Sequence, residues 1–487
     1  MIATQPSAET VFTASARRAG WLLRLRDAAP TSRVMVVAIM VSMVAFLDST
    51  VVNLALPATE RDLGGGMCLQ QWVVDGYLLA LAATILPGGA ISDLFGRVQV
   101  MRFGLVAFGT GSVLAATAVS PVMLIAGRLV QGLGAAFLVP GSLALINSTF
   151  DRAGRSAAVG SWTAWTGTAF ALGPLLGGLA VDLLGWRSIY ALSAVPIVVG
   201  FALTFWLCPI PRPAQCARLD VAGAALSAVG LAATVYALIE SGRHGWHPGL
   251  VASLVLGVAA LLAFVAWQRR APHPLVPLGL FTNRNFAGAN LTTAFVYGAL
   301  TMGSLAISLY TQEVAGYCAT VAGLVTLPTP VMSFLFAKRV GGRAARIGPR
   351  VFLTTGPLLA GFGLLLIHPS AHGFNIVTHL LPGMTLLAIG LVLTSTPLTA
   401  LNLSSVEPAR SGVAAAVQNA VGRTSALTSV ACVGLIAADT LTDASFARLL
   451  QVAAALFFIG ALVSRFTVTK AGSPTEFAPA EVAVGVP

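Results

Sequence analysis

The sequence predicts an all-α polytopic membrane protein with about fourteen transmembrane helices. Three observations carry this. Of the 487 residues, 56% are hydrophobic and only 9% are charged, with a mean hydropathy of +0.86. That is far less charge than a soluble chain of this size keeps on its surface. Apolar runs of roughly 20 residues, the length that crosses a bilayer, recur from Val34 to Phe466. Basic residues gather in alternate connections between these runs.

Taken in order, the runs fall near 34–57, 72–92, 98–119, 121–148, 156–182, 188–208, 219–240, 249–268, 286–311, 319–337, 351–368, 377–400, 411–437 and 447–466. Of the 28 Lys and Arg residues, 22 lie in the tails and in one alternate set of loops. The other set holds four: Arg61, Arg187, Arg243 and Arg448. This bias places both termini in the cytoplasm. It persists to the C-terminus, which requires an even number of spans. The remaining two, Arg128 and Arg423, fall inside spans. An ionisable group at that depth costs about 2.5–3.5 kcal/mol on insertion scales and is a functional candidate by default. The net charge of +11 does not point to nucleic acid, because no basic domain with interleaved aromatics is present.

The N-terminus does not read as a cleavable signal. "RRAGWLLRLR" (Arg17–Arg26) fits either a basic amphipathic helix at the interface or a cytosolic tail. Cys68, Cys208, Cys216, Cys318 and Cys432 are scattered, so neither a disulfide framework nor a zinc site is expected. The Pro-rich stretch Arg269–Phe286 is expected on the membrane surface, and the tail after Lys470 is expected to be disordered. No P-loop, H-E-x-x-H or G-x-S-x-G string occurs, and the histidines lie in loops or at span ends, so no enzyme is indicated.

Four strings carry chemistry. In "VSMVAFLDSTVVNLALP" (Val41–Pro57) one carboxylate, Asp48, stands in an apolar span, with Asn53 following. "GRLVQGLGAAF" in the fourth span sets Arg128 and Gln131 on one helix face. Asp48 lies nine residues before Pro57, roughly 14 Å below that end, and Arg128 lies seven after Pro121, roughly 11 Å below the same face. The matched depth allows an ion pair if the two helices are neighbours. "GGAISDLFGRVQVMR" places Gly89, Asp93, Gly96 and Arg97 in the spacing G-x-x-x-D-x-x-G-R. "GGRAARIGPR" (Gly341–Arg350) repeats it in degraded form, with Gly341 and Gly348 kept and Ala345 and Pro349 in place of the acid and the base. Two related halves are therefore expected. The fifth span contains Gly167, Gly173, Pro174, Gly177 and Gly178, a flexible run of small residues suited to close helix contact.

Together these strings resemble the major facilitator superfamily. "FLDSTVVNLALP" with "QWVVDGYLLALAATILPGGAISDLFGR" resembles its fourteen-span drug:proton antiporter branch. The resemblance implies two six-helix bundles, 34–208 and 286–466, with a helix pair inserted within 209–285 and cytoplasmic tails at 1–33 and 467–487. It implies that the first and fourth helices are neighbours, and that Asp93 sits against the N-terminus of the helix starting at Ser411. The run Gly173, Pro174, Gly177, Gly178 matches the pattern the family associates with antiporters.

The expected function is proton-coupled efflux of hydrophobic small molecules across the cytoplasmic membrane by alternating access. Asp48 with Arg128 is expected to couple to protons. Asp75, near the outer end of its span and so partly hydrated, is the second proton-site candidate. Asn53, Gln131, Gln418 and Asn419 are expected to line the substrate cavity. Asp182, Glu240 and Glu313 are expected at the interface, and Arg423 has no evident partner. No cofactor or metal is expected beyond the proton gradient as energy source. The expected partners are substrate, protons and lipid, and the protein is expected to be a monomer. Alternatives are an exporter of one endogenous metabolite or antibiotic and a non-transporting sensor with a carrier fold.

Overall fold

The computed structural model describes residues 30–150, 154–207, 219–369, 373–407, 410–437 and 440–469. The Arg17–Arg26 segment, Cys208, Cys216, part of the 209–285 connection and the tail beyond 469 lie outside the described residues. A helix or helix pair occupies each of the fourteen apolar runs. The helices are α1 (Pro30–Leu63), α2 (Gly66–Phe95), α3 (Arg97–Ala116), α4 (Pro121–Thr149), α5 (Arg155–Leu184), α6 (Ser188–Leu192), α7 (Ala194–Thr204), α8 (Val221–His244) and α9 (Pro248–Gln268). There follow α10 (Arg284–Leu309), α11 (Ala319–Val325), α12 (Pro328–Ile347), α13 (Pro349–Leu365), α14 (Leu381–Ser404), α15 (Ser411–Ala431), α16 (Val433–Ala437) and α17 (Asp443–Thr467). Among the described residues, 12 helical segments are long and apolar enough to cross a membrane. The α6–α7 unit and α13 are shorter.

The ends of these helices follow from local chemistry. Ser120 accepts a hydrogen bond from the Met123 amide at 3.3 Å and Pro121 fills the first helical position, which starts α4. Pro328 likewise fills the first position of α12, here without a side-chain cap, and separates it from α11, so the tenth run is a broken helix rather than a straight one. At the start of α8, Asp220 accepts from the Gly223 amide at 2.8 Å, from Trp267 Nε1 at 2.8 Å and from Gln268 Nε2 at 2.7 Å. One carboxylate therefore caps α8 and ties it to the end of α9. Burial alone would raise the Asp220 carboxyl, but these three donors outweigh it and hold it below its usual value of 3.8.

The internal repeat is visible in the backbone. Gly96, between α2 and α3, has φ 95° and ψ 132°; Gly348, between α12 and α13, has φ 101° and ψ 147°. Only glycine takes this conformation without strain. The two positions aligned by sequence thus make the same turn in each half, although the second copy has lost its acid and base.

Helices α1 to α7 pack on one another, chiefly α1 on α4 and α5, and α4 on α2 and α3. Helices α10 to α17 form a second set, in which α10 packs on α15 and α17, and α14 on α12 and α13. The α8–α9 hairpin leans on the first set through α2 and on the second through α15 and α16. Trp72 Nε1 donates to Glu240 at 3.0 Å across the α2–α8 contact.

Below, the near end is the one at which α1 begins, and the far end is its opposite. The two sets meet most closely at the far end. Ser308 donates to the Asn53 carbonyl at 3.0 Å, Gln70 to Glu313 at 2.5 Å, and Gln71 to the carbonyls of Val430 and Ala431 at 2.6 and 3.0 Å. Towards the near end a cavity of about 500 Å³ lies between α1, α4 and α5, lined by Met35, Ile39, Phe150 and Trp165 among others. The molecule is held shut at the far end.

Two stability outcomes follow. Gly96→Val and Gly348→Val should each cost about 1–3 kcal/mol, read as a lower unfolding temperature of the detergent-purified protein. Gly89→Ala, at an open position within α2, should not lower it. Asp220→Asn should destabilise the protein near neutral pH. The gap should close as pH falls below the usual carboxylate value of 3.8, because a carboxylate held low stabilises the fold only while it is ionised.

Candidate functional site

Asp48 on α1 and Arg128 on α4 meet in the core. Arg128 Nη1 donates to Asp48 Oδ2 at 2.9 Å and Oδ1 at 3.0 Å, and the two side chains are 1% and 2% exposed. The same nitrogen lies 2.8 Å from Gln131 Oε1, one turn along α4. Arg128 Nε donates to the Val73 carbonyl of α2 at 2.8 Å. The guanidinium carbon lies 4.6 Å from the Tyr77 ring centroid and 6.0 Å from that of Tyr190. Gln131 Nε2 donates to Ser112 Oγ of α3 at 2.9 Å. Four helices of the first set thus converge on one charged pair through charge-assisted and neutral hydrogen bonds.

This arrangement also corrects two expectations. Gln131 was expected to line the cavity, yet it is fully buried and its amide is committed to Arg128 and Ser112. Asp75 was expected to be partly hydrated. It is 0% exposed, and neither carboxylate oxygen has a hydrogen-bond partner among the described residues. It points towards α15, near enough to Cys432 to act on it electrostatically, so the close packing of α2 on α15 excludes the water that depth alone allowed.

The other predicted residues are placed as follows. Asn53 lies half-buried on the seam between the two sets and contributes its carbonyl there. Gln418 is held within the second set by Asn402 Nδ2 at 3.1 Å and Thr293 Oγ1 at 3.4 Å. Asn419 is exposed and donates to the Ala415 carbonyl at 3.1 Å. Arg423, half-buried, makes no hydrogen bond or ion pair among the described residues.

Among the described residues, Asp93 makes no hydrogen bond to the start of α15. Its hydrogen-bond partner is Arg97 at 3.4 Å, while Arg97 Nη1 donates to the Ala144 carbonyl at 2.9 Å. The hydrogen bonds that join α2 to α15 lie instead at the far end, where Gln71 donates to the carbonyls of Val430 and Ala431.

Gly173 and Gly177 abut Thr50 and Val51 of α1, and a Cβ on Gly177 would come within 2.7 Å of Val51. A Cβ on Gly178 would lie 2.6 Å from Thr320 Cα, and one on Gly323 would strike the Pro174 carbonyl. The small-residue run therefore lets α5 touch the backbone of α11 in the other set. Beside it Asp182 accepts from the Ala319 amide at 3.0 Å, the Thr320 amide at 2.8 Å and the Thr320 hydroxyl at 2.5 Å. A carboxylate of the first set caps a helix of the second. Sequence reasoning placed Asp182 only at an interface; the pairing was not legible, although an acid on one span and "CATVAG" opening another were a faint sign.

The sequence from residue 38 to 430 matches the family model described as Major Facilitator Superfamily. The chain is a member of the major facilitator superfamily. Like other members it is a multi-pass membrane carrier of small molecules and not an enzyme. The puromycin resistance protein pur8 of Streptomyces alboniger is 34% identical over 412 residues, covering 82% of this chain and 81% of that protein. The methylenomycin A resistance protein of Bacillus subtilis is 32% identical over 423 residues, covering 85% and 89%. A probable actinorhodin transporter of Streptomyces coelicolor is 32% identical over 409 residues, covering 80% and 69%. A crystal structure of a POT family transporter with a thioalcohol-conjugated peptide superposes with a TM-score of 0.70 over 90% of this chain and 96% of that one. At 15% identity that likeness concerns the fold of this superfamily alone.

Within the superfamily fold, the Asp182 cap should hold the far end closed. Asp182→Ala should lose roughly 0.5–2 kcal/mol of that closure, seen as a longer mean distance between spin labels on the far ends of α5 and α11.

Proposed function

We propose that this chain exports hydrophobic small molecules from the cytoplasm in exchange for protons, by alternating access. The buried Asp48–Arg128 pair, set below a seam that is shut at the far end, is the observation that carries this reading. The excess of basic residues in the near-end loops supports a cytoplasmic near end. The state described then faces inward, with cargo entering from the cytoplasm and leaving once the seam parts. The relatives named for resistance to puromycin and methylenomycin support efflux as the direction.

The pair suits a switch. Removing one partner from a buried ion pair commonly costs about 3–5 kcal/mol, because the other charge is stranded. Here Arg128 keeps the Val73 carbonyl, the Gln131 oxygen and two tyrosine faces when Asp48 takes a proton. Those partners reduce the cost of neutralising Asp48, so protonation loosens α1 from α4 without leaving a bare cation. Asp75, whose oxygens lack partners at the α2–α15 crossing, is the second candidate, since an isolated ionised carboxylate there would cost several kcal/mol. Pro174 and Gly178, which meet Gly323 and Thr320 of α11, serve as the seam on which the halves rock, while Gly173 and Gly177 seat α5 on α1. The energy is sufficient: one charge moved through 100 mV yields about 2.3 kcal/mol, or roughly a fifty-fold gradient. The relative named as a probable actinorhodin transporter favours a second reading, a dedicated exporter of one endogenous compound using the same machinery.

Asp48→Asn should abolish proton-driven accumulation of a dye in everted vesicles, to below about a tenth of the native rate, while the protein still unfolds cooperatively. Full proton-coupled transport by this variant would remove Asp48 from the mechanism.

A further inference from the structure

Arg423 has no place in the coupling pair. Only Asp48, Asp75, Arg128 and Arg423 are ionisable by Asp, Glu, Lys or Arg chemistry deep inside the spans. Asp48 is already paired with Arg128. Arg423 lies 12 residues into α15, roughly 18 Å from its near end, where an unpaired guanidinium is costly.

Its surroundings are specific. On one side, Gly422 packs against the Tyr297 ring of α10, where a Cβ would meet the ring at 3.3 Å. On the other side, Ala420 and Leu427 join a cluster with Leu231 and Val235 of α8 and with Leu78 and Leu81 of α2. The strip between these two faces holds Asn419 and Arg423, one turn apart. It therefore faces the gap between α2 and α10, that is, the cleft between the halves. Tyr77 of α2 borders the same gap. Its hydroxyl is buried without a hydrogen-bond partner, and Arg423 is close enough to act on it electrostatically. Arg423 acts on the Tyr297 hydroxyl in the same way. The Arg423 guanidinium and the Tyr77 hydroxyl both border this gap without a hydrogen-bond partner among the described residues, and Asn419, whose amide donates to the Ala415 carbonyl, lies one turn from Arg423 on the same strip.

We propose that Arg423, Tyr77 and Asn419 form an anion-recognition subsite for a carboxylate on the cargo. The subsite rests on the export reading above and narrows its substrate class to amphipathic molecules with one anionic group beside an apolar or aromatic body. A guanidinium fork matches a carboxylate in two parallel hydrogen bonds. The Tyr77 ring also lies against Arg128, so an anion received by the Tyr77 hydroxyl sits one side chain away from the proton-coupling pair. Asp75, also on α2, makes no ion pair with Arg423 among the described residues, and a variant below tests whether it serves Arg423 as counter-charge instead.

The test uses purified full-length protein and three aromatic carboxylate dyes with their methyl esters. Binding is followed by tryptophan quenching, and export by energised uptake into everted vesicles. The acids should bind more tightly than the esters. Arg423→Gln should weaken acid binding tenfold or more and leave the esters unchanged, Arg423→Lys should restore part of it, and Tyr77→Phe should weaken the acids selectively. Unfolding temperature checks that each variant is folded. Equal binding of acids and esters, or an equal loss of both in Arg423→Gln, overturns the subsite. So does an Asp75→Asn variant that mimics Arg423→Gln for acids and esters alike, because Arg423 then serves Asp75. In those cases gradient-dependent uptake of the esters leaves the export reading standing. If neither dye set is taken up under a gradient, the export reading falls as well.

Discussion

A guanidinium buried between two tyrosine rings and a carboxylate has no water to retreat to, and the first helices are arranged around that constraint. Arg128 takes its partners from α1, α2 and its own helix, and Gln131 carries the network on to α3. In a medium of low dielectric each of these contacts is strong when satisfied and expensive when lost. The close approach of α2, α3 and α4 is therefore not a matter of apolar packing alone. Between helices in lipid there is little hydrophobic driving force, and polar convergence at one point supplies direction that greasy surfaces lack.

The second organising feature is the contrast between the two ends. At the far end the halves are joined by a carboxylate-to-helix cap, by side chains bonded to carbonyls, and by backbone lying on backbone through Gly178 and Gly323. At the near end Asp93 turns to Arg97 on its own half. On the alternating-access reading proposed above, these two facts describe one of two states. A residue that latches one end is expected to be disengaged when the other end is latched. The pattern of made and unmade contacts therefore carries more functional information than any single pocket.

Much of this was legible in the sequence, for identifiable reasons. Span positions follow from apolar length, and the depth match of Asp48 and Arg128 follows from the constant rise of a helix. The shared turn at Gly96 and Gly348 follows from a backbone conformation that admits one residue type. What was not legible depended on which helix faces which. Depth placed Asp75 near an end and so near water, but whether α15 covers it is a tertiary fact. Gln131 reads as a cavity residue by helix face, and only the positions of Ser112 and Arg128 show that its amide is consumed. Asp182 needs its partner helix to become a cap, and no periodicity announces a pairing of residues so far apart in the chain.

The make-up of the far-end seam has a kinetic consequence. Glycine, proline, threonine and main-chain atoms meet there beside an apolar cluster that runs from Leu54, Leu56 and Met67 of the first set to Leu305, Leu309 and Val325 of the second, so parting the halves uncovers hydrocarbon as well as polar contacts that a solvent molecule can replace. Resistance to opening then resides less in the contacts themselves than in how readily the crevice wets. Turnover should accordingly respond more to agents that alter hydration at that face than to the bulk of the side chains in the two bundle cores.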